Sequence, residues 1–260
     1  MNLHQLLQSA FTVEYIMTPR AWLITASEKP SLQHGSRYDV IPRTKAGRIV
    51  GLWVVRGDDY EPVAITEEWI VSHSTPIREL IRLFNLVEAK PALLVVNSGG
   101  VAGLVSRADL NKLACRTYLY TLISELEHQL GMLIRHHLHS NGGSEEEVLE
   151  LLCKSSREQA QRAYRRMQSL DVDIGYIDVL SFSDIATLFC AYQELWKRLG
   201  FESREQVERD FKGLVHLRNS VAHPVRRMYP IIQVGEVFEK ITLVERLLHQ
   251  MSSFQAEYSD

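Results

Sequence analysis

Apolar and polar positions change rhythm part-way along the chain. Up to about residue 110, short β-branched and apolar runs are separated by turn signals. Trp22-Leu23-Ile24 is strand-like, Arg48–Val55 more clearly so, and Ala92–Val96 most of all. Asn97-Ser98-Gly99-Gly100 supplies a turn, and Val101–Val105 reads as the returning strand of a hairpin. Thr75-Pro76 has the chemistry of a helix start: a capping hydroxyl, then a residue whose missing N–H costs nothing in a first turn. Ile77, Leu80, Ile81 and Phe84 follow at helical spacing. The pattern predicts a small α/β unit.

From about Asn111 the period becomes 3.6 residues. Leu119, Leu122, Ile123, Leu126, Leu130, Leu133 and Ile134 make one apolar stripe, stopped by Asn141-Gly142-Gly143. Ser144-Glu145-Glu146-Glu147 is a capping box that opens a second helix of about 25 residues. A third helix starts near Ser181 or Ser183 and closes at Gly200. Ser203-Arg204-Glu205-Gln206 opens a fourth, with Val207, Phe211, Leu214, Val215 and Val221 inward. After Tyr229-Pro230 a fifth carries Val234, Val237, Phe238, Ile241, Val244, Leu247 and Leu248. The expected fold is therefore α+β in two domains, residues 1–114 and an all-α bundle over 115–260, with no Pro/Gly-rich linker near 111–117.

Composition narrows the function classes. The chain has 260 residues, 45% of them hydrophobic and 23% charged, which excludes a collagen-like or low-complexity protein. Net charge is -3, so a polyanion would have to be held by a local patch rather than a global field. Three scattered cysteines, with no CxxC pair, argue against a disulfide framework or zinc ribbon and fit a reducing compartment. The first residues lack the basic start and apolar run of a signal peptide, and no stretch reaches the ~18 apolar residues of a membrane span. The expectation is a soluble, cytoplasmic protein without a membrane partner.

The first half resembles a pair of CBS (cystathionine-β-synthase) motifs. Trp69–Ser72, Thr75–Leu80, Ala92–Val96 and Gly103-Leu104-Val105-Ser106-Arg107-Ala108-Asp109 look like one complete copy. Met17-Thr18-Pro19, the run at Trp22, Tyr38–Pro42 and Gly51–Val55 look like a degenerate first copy, with Val54 where a hydroxyl belongs and Asp58 one residue late. The resemblance implies a cleft for an adenine nucleotide as regulatory ligand. Asp109 would accept from ribose hydroxyls, Ser106 would touch sugar or phosphate, and Lys90 and Arg107 would neutralise phosphate. The alternative for Asp109 is a helix cap. The erosion of the first copy implies at most one good cleft.

The second half resembles a HEPN (higher eukaryotes and prokaryotes nucleotide-binding) domain. The carrying stretch is Leu217-Arg218-Asn219-Ser220-Val221-Ala222-His223-Pro224, an Arg-x4-His motif late in a helical domain, with Glu125–Leu130 similar to the family's first helix. Residues five apart on an unbroken helix diverge by ~140°. Pro224 disfavours helical geometry at His223, which ends the helix and lets the imidazole swing back. What the resemblance implies is metal-independent RNA cleavage. His223 would deprotonate or orient the ribose 2′-hydroxyl, Arg218 would stabilise phosphate charge, and Asn219 would supply an amide. Glu127 either orients Arg218 or is a surface charge.

The same residues also fit a non-catalytic binding surface, or a helix end tied to its neighbour. His136, His137 and His139 point apart and have no carboxylate or thiol at ligand spacing, so no metal is expected and no cofactor for catalysis. Arg157, Arg162, Arg165 and Arg166, with Arg226 and Arg227, offer the local basic patch that RNA would need. The aromatic residues sit at core spacing and predict no base-stacking platform. The expected molecule is a nucleotide-regulated endoribonuclease acting as a homodimer on RNA. The alternative is a nucleotide-responsive switch that docks a partner protein.

Overall fold

A computed structural model describes residues 3–32, 38–86, 90–170, 174–223 and 225–257. The chain divides into two compact units, Met1–Tyr118 with His223–Phe238, and Leu119–Ala222 with Glu239–Asp260. The first division falls a few residues past the position the periodicity suggested. The second detaches the segment after Ala222 from the helix it follows.

In the first unit the chain runs through α1 (Leu3–Ala10), β1 (Thr18–Pro19), β2 (Val40–Lys45), β3 (Arg48–Arg56), β4 (Asp59–Val63), β5 (Ile70–Ser72), α2 (Ile77–Leu86), β6 (Ala92–Asn97) and β7 (Gly100–Ser106). β5 and β6 pair in parallel, Ile70 opposite Leu94, and parallel strands need a crossover, here α2. β7 returns antiparallel on β6 and β1 closes the far edge, giving the order β1-β7-β6-β5. Ile77, Leu80, Ile81 and Phe84 on α2 are all 1% exposed or less. Each contributes on the order of 1.5–3 kcal/mol by burial, so packing rather than helix propensity fixes α2. Gly103 lies where a Cβ would run into the Thr18 carbonyl, so the β1–β7 approach needs a glycine.

β2, β3 and β4 form a separate antiparallel meander with Ile41 opposite Trp53. Leu52 and Val54 join Val40, Trp69, Ala92 and Leu94 in one core, while Trp53 packs with Ile41 and Tyr60 on the other face. Cover on both faces explains why β3 reads as an unbroken apolar run. Trp22-Leu23-Ile24 is not a strand. Arg20–Trp22 is a single 3-10 turn, Trp22 is 78% exposed, and no described strand pairs with this run. Three apolar residues without a neighbouring strand cannot satisfy their backbone in a ladder. Between Pro19 and Val40 the described residues contain this 3-10 turn and no α-helix.

The second unit is helical: the greater part of α3 (Leu113–Ser140), then α4 (Val148–Leu151), α5 (Lys154–Gln168), α6 (Phe182–Ala191), α7 (Gln193–Arg198), α8 (Arg204–Ala222) and most of α9 (Val234–Glu257). The predicted stripe on α3 is buried, with Leu133 half-buried. The expected long second helix is broken. Its capping box forms at Ser144 and Glu147, but Leu152 and Cys153 are extended, and the Arg157 guanidinium donates to the Leu149, Glu150 and Leu152 carbonyls freed at the break. The third also breaks, at Tyr192, whose ring meets His137 edge-on. Phe189 and Phe211, with centroids 5.0 Å apart, lie at the centre of an aromatic cluster that includes Phe182 and Phe201. Among the described residues no helix is long and apolar enough to cross a membrane.

Candidate functional site

The chain leaves β7 through a tight turn, Arg107–Asn111. Asp109 Oδ2 accepts from the Ser106 backbone N–H at 2.6 Å and from the Ser106 hydroxyl at 2.8 Å, completing a capping box. The Lys112 ammonium sits 2.8 Å from Oδ1 and also donates to the Ile16 and Met17 carbonyls. Asp109 therefore caps the turn. A carboxylate offers about four lone-pair sites, so capping leaves room for a further donor. The Ser106 O–H is spent on Asp109 and its remaining lone pair can accept.

Beside this turn lies a cavity of about 450 Å³ within the first unit. Ser106, Arg107, Ala108 and Asp109 line one side, and Trp22, Tyr38, Asp39 and Tyr229 line others. Trp22 and Tyr38 are 78% and 47% exposed, so this is a mouth with aromatic walls that the spacing argument did not foresee. The signal was present in Trp22, an indole in a run too short for a strand. Arg107 borders the cavity, yet its guanidinium donates to the Phe84 carbonyl at 2.9 Å and the Lys90 carbonyl at 3.3 Å. Lys90 lies elsewhere. It is 7% exposed, donates to the Glu68 carbonyl and carboxylate, and stands 5.0 Å over the Trp69 ring, beside a separate cavity of about 350 Å³. That ammonium holds the Glu68 carboxyl below its ordinary range. Lys90 is thus not brought together with Ser106 and Asp109.

The Arg-x4-His motif straddles the division of the chain. Arg218 and Asn219 belong to the second unit and His223 to the first, while Pro224 lies outside the described residues. Arg218 on α8 sits 3.8 Å from the Glu127 carboxylate of α3 and 5.8 Å over the Tyr120 ring. Of the two readings of Glu127, the structure gives the partner of Arg218 rather than an isolated surface charge. Burial pushes the Glu127 carboxyl above its ordinary range, and the Arg218 charge only partly offsets this. Asn219 is exposed. α8 ends at Ala222, so His223 stands just beyond the helix with its side chain exposed. Its carbonyl is fixed, accepting from the Arg116 guanidinium at 2.8 Å and from the Arg226 N–H at 3.0 Å.

Arg116 and Asn111 are the residues that periodicity missed. Arg116 is 3% exposed and also donates to the Arg226 carbonyl. Asn111 accepts from the Met228 and Tyr229 N–H groups and donates to the Tyr229 and Ala108 carbonyls. His136 and His137 meet Ser140 and Asn141, and no group of three or more candidate metal ligands occurs among the described residues. Arg165, Arg166, Arg226 and Arg227 are exposed, whereas Arg157 is committed to the break before α5.

No protein-family model matches the chain, and no curated protein does. Among solved structures the similarity is to CBS domains. The CBS domain of a bacterial CNNM/CorC family Mg2+ transporter in complex with ATP is 22% identical, with 42% of this chain and 90% of that chain covered and a TM-score of 0.31. The same transporter family's CBS domain with the inhibitor IGN95a is 21% identical over 41% and 77% of the two chains, TM-score 0.31. A CBS-domain pair with bound AMP from Klebsiella pneumoniae is 17% identical over 38% and 94%, TM-score 0.27.

Proposed function

We propose that this chain is a nucleotide-responsive regulator whose first unit binds an adenine nucleotide and whose helical part cleaves RNA without a metal. The observation that carries the nucleotide reading is the cavity beside the Ser106–Asp109 turn. Its volume, about 450 Å³, lies in the range of small-molecule sites. Trp22 and Tyr38 offer aromatic faces to a base, and base–aromatic stacking is worth about 1–3 kcal/mol. Asp109 keeps acceptor capacity for a ribose hydroxyl, and Ser106 can accept from another. For a phosphate, Arg107 would have to turn from the Phe84 and Lys90 carbonyls.

Cleavage rests on the resemblance of the Arg218–His223 stretch to the HEPN motif. In this reading His223 takes or orients the 2′-hydroxyl proton, Arg218 stabilises the charge growing on the scissile phosphate, and Asn219 contributes an amide. The product is a 2′,3′-cyclic phosphate with a free 5′-hydroxyl. A departing 5′-oxygen also needs an acid, which a second His223 across a two-fold axis would supply, so the active form is a homodimer. The test is RNA cleavage in EDTA by wild type and His223→Ala, with AMP, ADP or ATP added, alongside sedimentation for a mass near twice 29.8 kDa.

A second reading has its own observation. Arg218 already meets Glu127 and Tyr120, so its charge has protein partners, as in a helix pair built for docking. In that reading the nucleotide controls a protein partner, and neither wild type nor His223→Ala cuts RNA.

A further inference from the structure

The segment after His223 joins the candidate cleft to the end of the Arg-x4-His motif. Tyr229 lines the cavity together with Ala108 and Asp109. Asn111 ties that wall to the segment: its amide donates to Ala108 O at 3.1 Å and to Tyr229 O at 2.9 Å, while its oxygen accepts from Met228 N at 2.7 Å and Tyr229 N at 3.0 Å. Five residues on, in the first turn of α3, buried Arg116 grips the carbonyls of His223 and Arg226. Met228 and Ile232 are 0% and 4% exposed, so the segment is seated rather than loose, while Val225, between the two carbonyls that Arg116 holds, is 96% exposed. All these groups lie in the first unit.

We infer that His223 and residues 225–229 form a strap through which the occupant of the cleft sets the position of His223, with Asn111 and Arg116 as positioning residues. The inference rests on the cleft's being a nucleotide site. A ligand shifts an equilibrium only through groups it contacts differently in the two states, and Tyr229 and Ala108, which line the cavity, are within its occupant's reach. Asn111 holds both, so a displacement at either is passed to the Met228 and Tyr229 amides. A buried hydrogen-bonded network responds as a unit because breaking one of its bonds strands a desolvated partner. The neighbouring Arg226 and His223 carbonyls share one guanidinium, which extends the coupling to His223.

The experiment measures hydrogen exchange in peptides spanning 223–233 of the full chain, with and without saturating ATP, alongside calorimetry. In wild type, ATP is expected to slow exchange of the strap by roughly tenfold or more and to shift the His223 ring resonances. Asn111→Asp keeps the acceptor for the two amides and loses the donor to Ala108 and Tyr229. It should bind ATP with near-normal affinity while the response at His223 and Arg226 disappears. ATP binding to wild type with an unchanged strap overturns this inference and spares the nucleotide reading. An Asn111→Asp chain with the full response also overturns it. Absence of ATP and AMP binding to wild type overturns both. The wild-type comparison decides the matter alone if the variant does not fold.

Discussion

The turn at Ser106–Asp109 and the helix end at Arg218–His223 carry the two signatures of this chain, and they are held in opposite ways. In the first, residues three apart bond each other: Asp109 takes the N–H and hydroxyl of Ser106, and the geometry is complete within one turn. In the second, the partners come from far along the chain. Glu127 and Tyr120 meet Arg218, and Arg116 fixes the His223 carbonyl. The lesson is that a short-spaced signature brings its own geometry, whereas a motif spread over a helix end takes its geometry from the scaffold. The turn that carries the former is robust to change elsewhere. Chemistry built on the latter is exposed to whatever moves the scaffold.

The largest expected effect tests whether the second signature performs chemistry. Loss of a general base costs on the order of 10²–10⁴-fold in rate. His223→Ala and Arg218→Ala should therefore each abolish most RNA cleavage by folded protein, in EDTA as in its absence. Full activity in either variant, or inhibition by EDTA, defeats the catalytic assignment. Wild type without any activity turns the comparison into one between a ligand site and a docking face.

Next in size is the first signature. Asp109→Asn keeps a capping oxygen and removes the charge. A hydrogen bond to a charged group is worth about 1.5–3 kcal/mol, so ATP or AMP affinity should fall by roughly 10- to 100-fold, with unliganded cleavage unchanged. Calorimetry on wild type should find at most one strong site per chain, because Val54 stands where the resemblance to paired CBS motifs would put a second hydroxyl like that of Ser106. Two equal sites, or tight binding indifferent to Asp109, would remove the asymmetry on which this assignment stands.

The same contrast explains what was legible in the sequence. The stripes of α2, α3, α8 and α9 and the hairpin at Asn97–Gly100 were readable because period and turn chemistry are local. The breaks at Leu152 and Tyr192 were not, since no proline or glycine marks them; the Arg157 guanidinium, a few residues on, takes up the carbonyls freed at the first, and the distant His137 ring meets Tyr192 at the second. Asp109 as a possible cap could be read from spacing, and Lys90 as a phosphate ligand could not be tested by it. Only the fold reveals that the Lys90 ammonium is spent on Glu68 beside a different cavity. Trp22, Asn111, Arg116 and Tyr229 carry no periodic signal at all.

A smaller effect probes the strand approach behind the cleft. Gly103→Ala puts a methyl against the Thr18 carbonyl, and Thr18 and Leu104 both line the cavity. Overpacking of this kind costs about 1–3 kcal/mol, to be read by urea unfolding. Nucleotide binding should weaken in parallel, while unliganded cleavage survives. A variant as stable as wild type would mean that β1 can move away from β7 at no cost.

The smallest effect concerns Glu127, which links the second signature to α3. Burial raises its folded-state pKa above the unfolded value, with Arg218 partly opposing the shift. A group raised on folding binds its proton more tightly in the native state. Its stabilising contribution is full below the unfolded pKa and is lost as pH rises through the folded one. Wild type should therefore lose stability relative to Glu127→Gln as pH climbs from about the ordinary carboxylate value, near 4.5, towards neutrality, and the difference should then level off. In an Arg218→Ala background the opposing charge is gone, so the loss should extend to higher pH. Thermal melts of the three proteins and the double variant across this range supply the check. A wild type that instead gains on Glu127→Gln with rising pH would show that attraction to Arg218 outweighs desolvation. The 3.8 Å pair would then be a strong scaffold contact rather than a compromise between burial and charge.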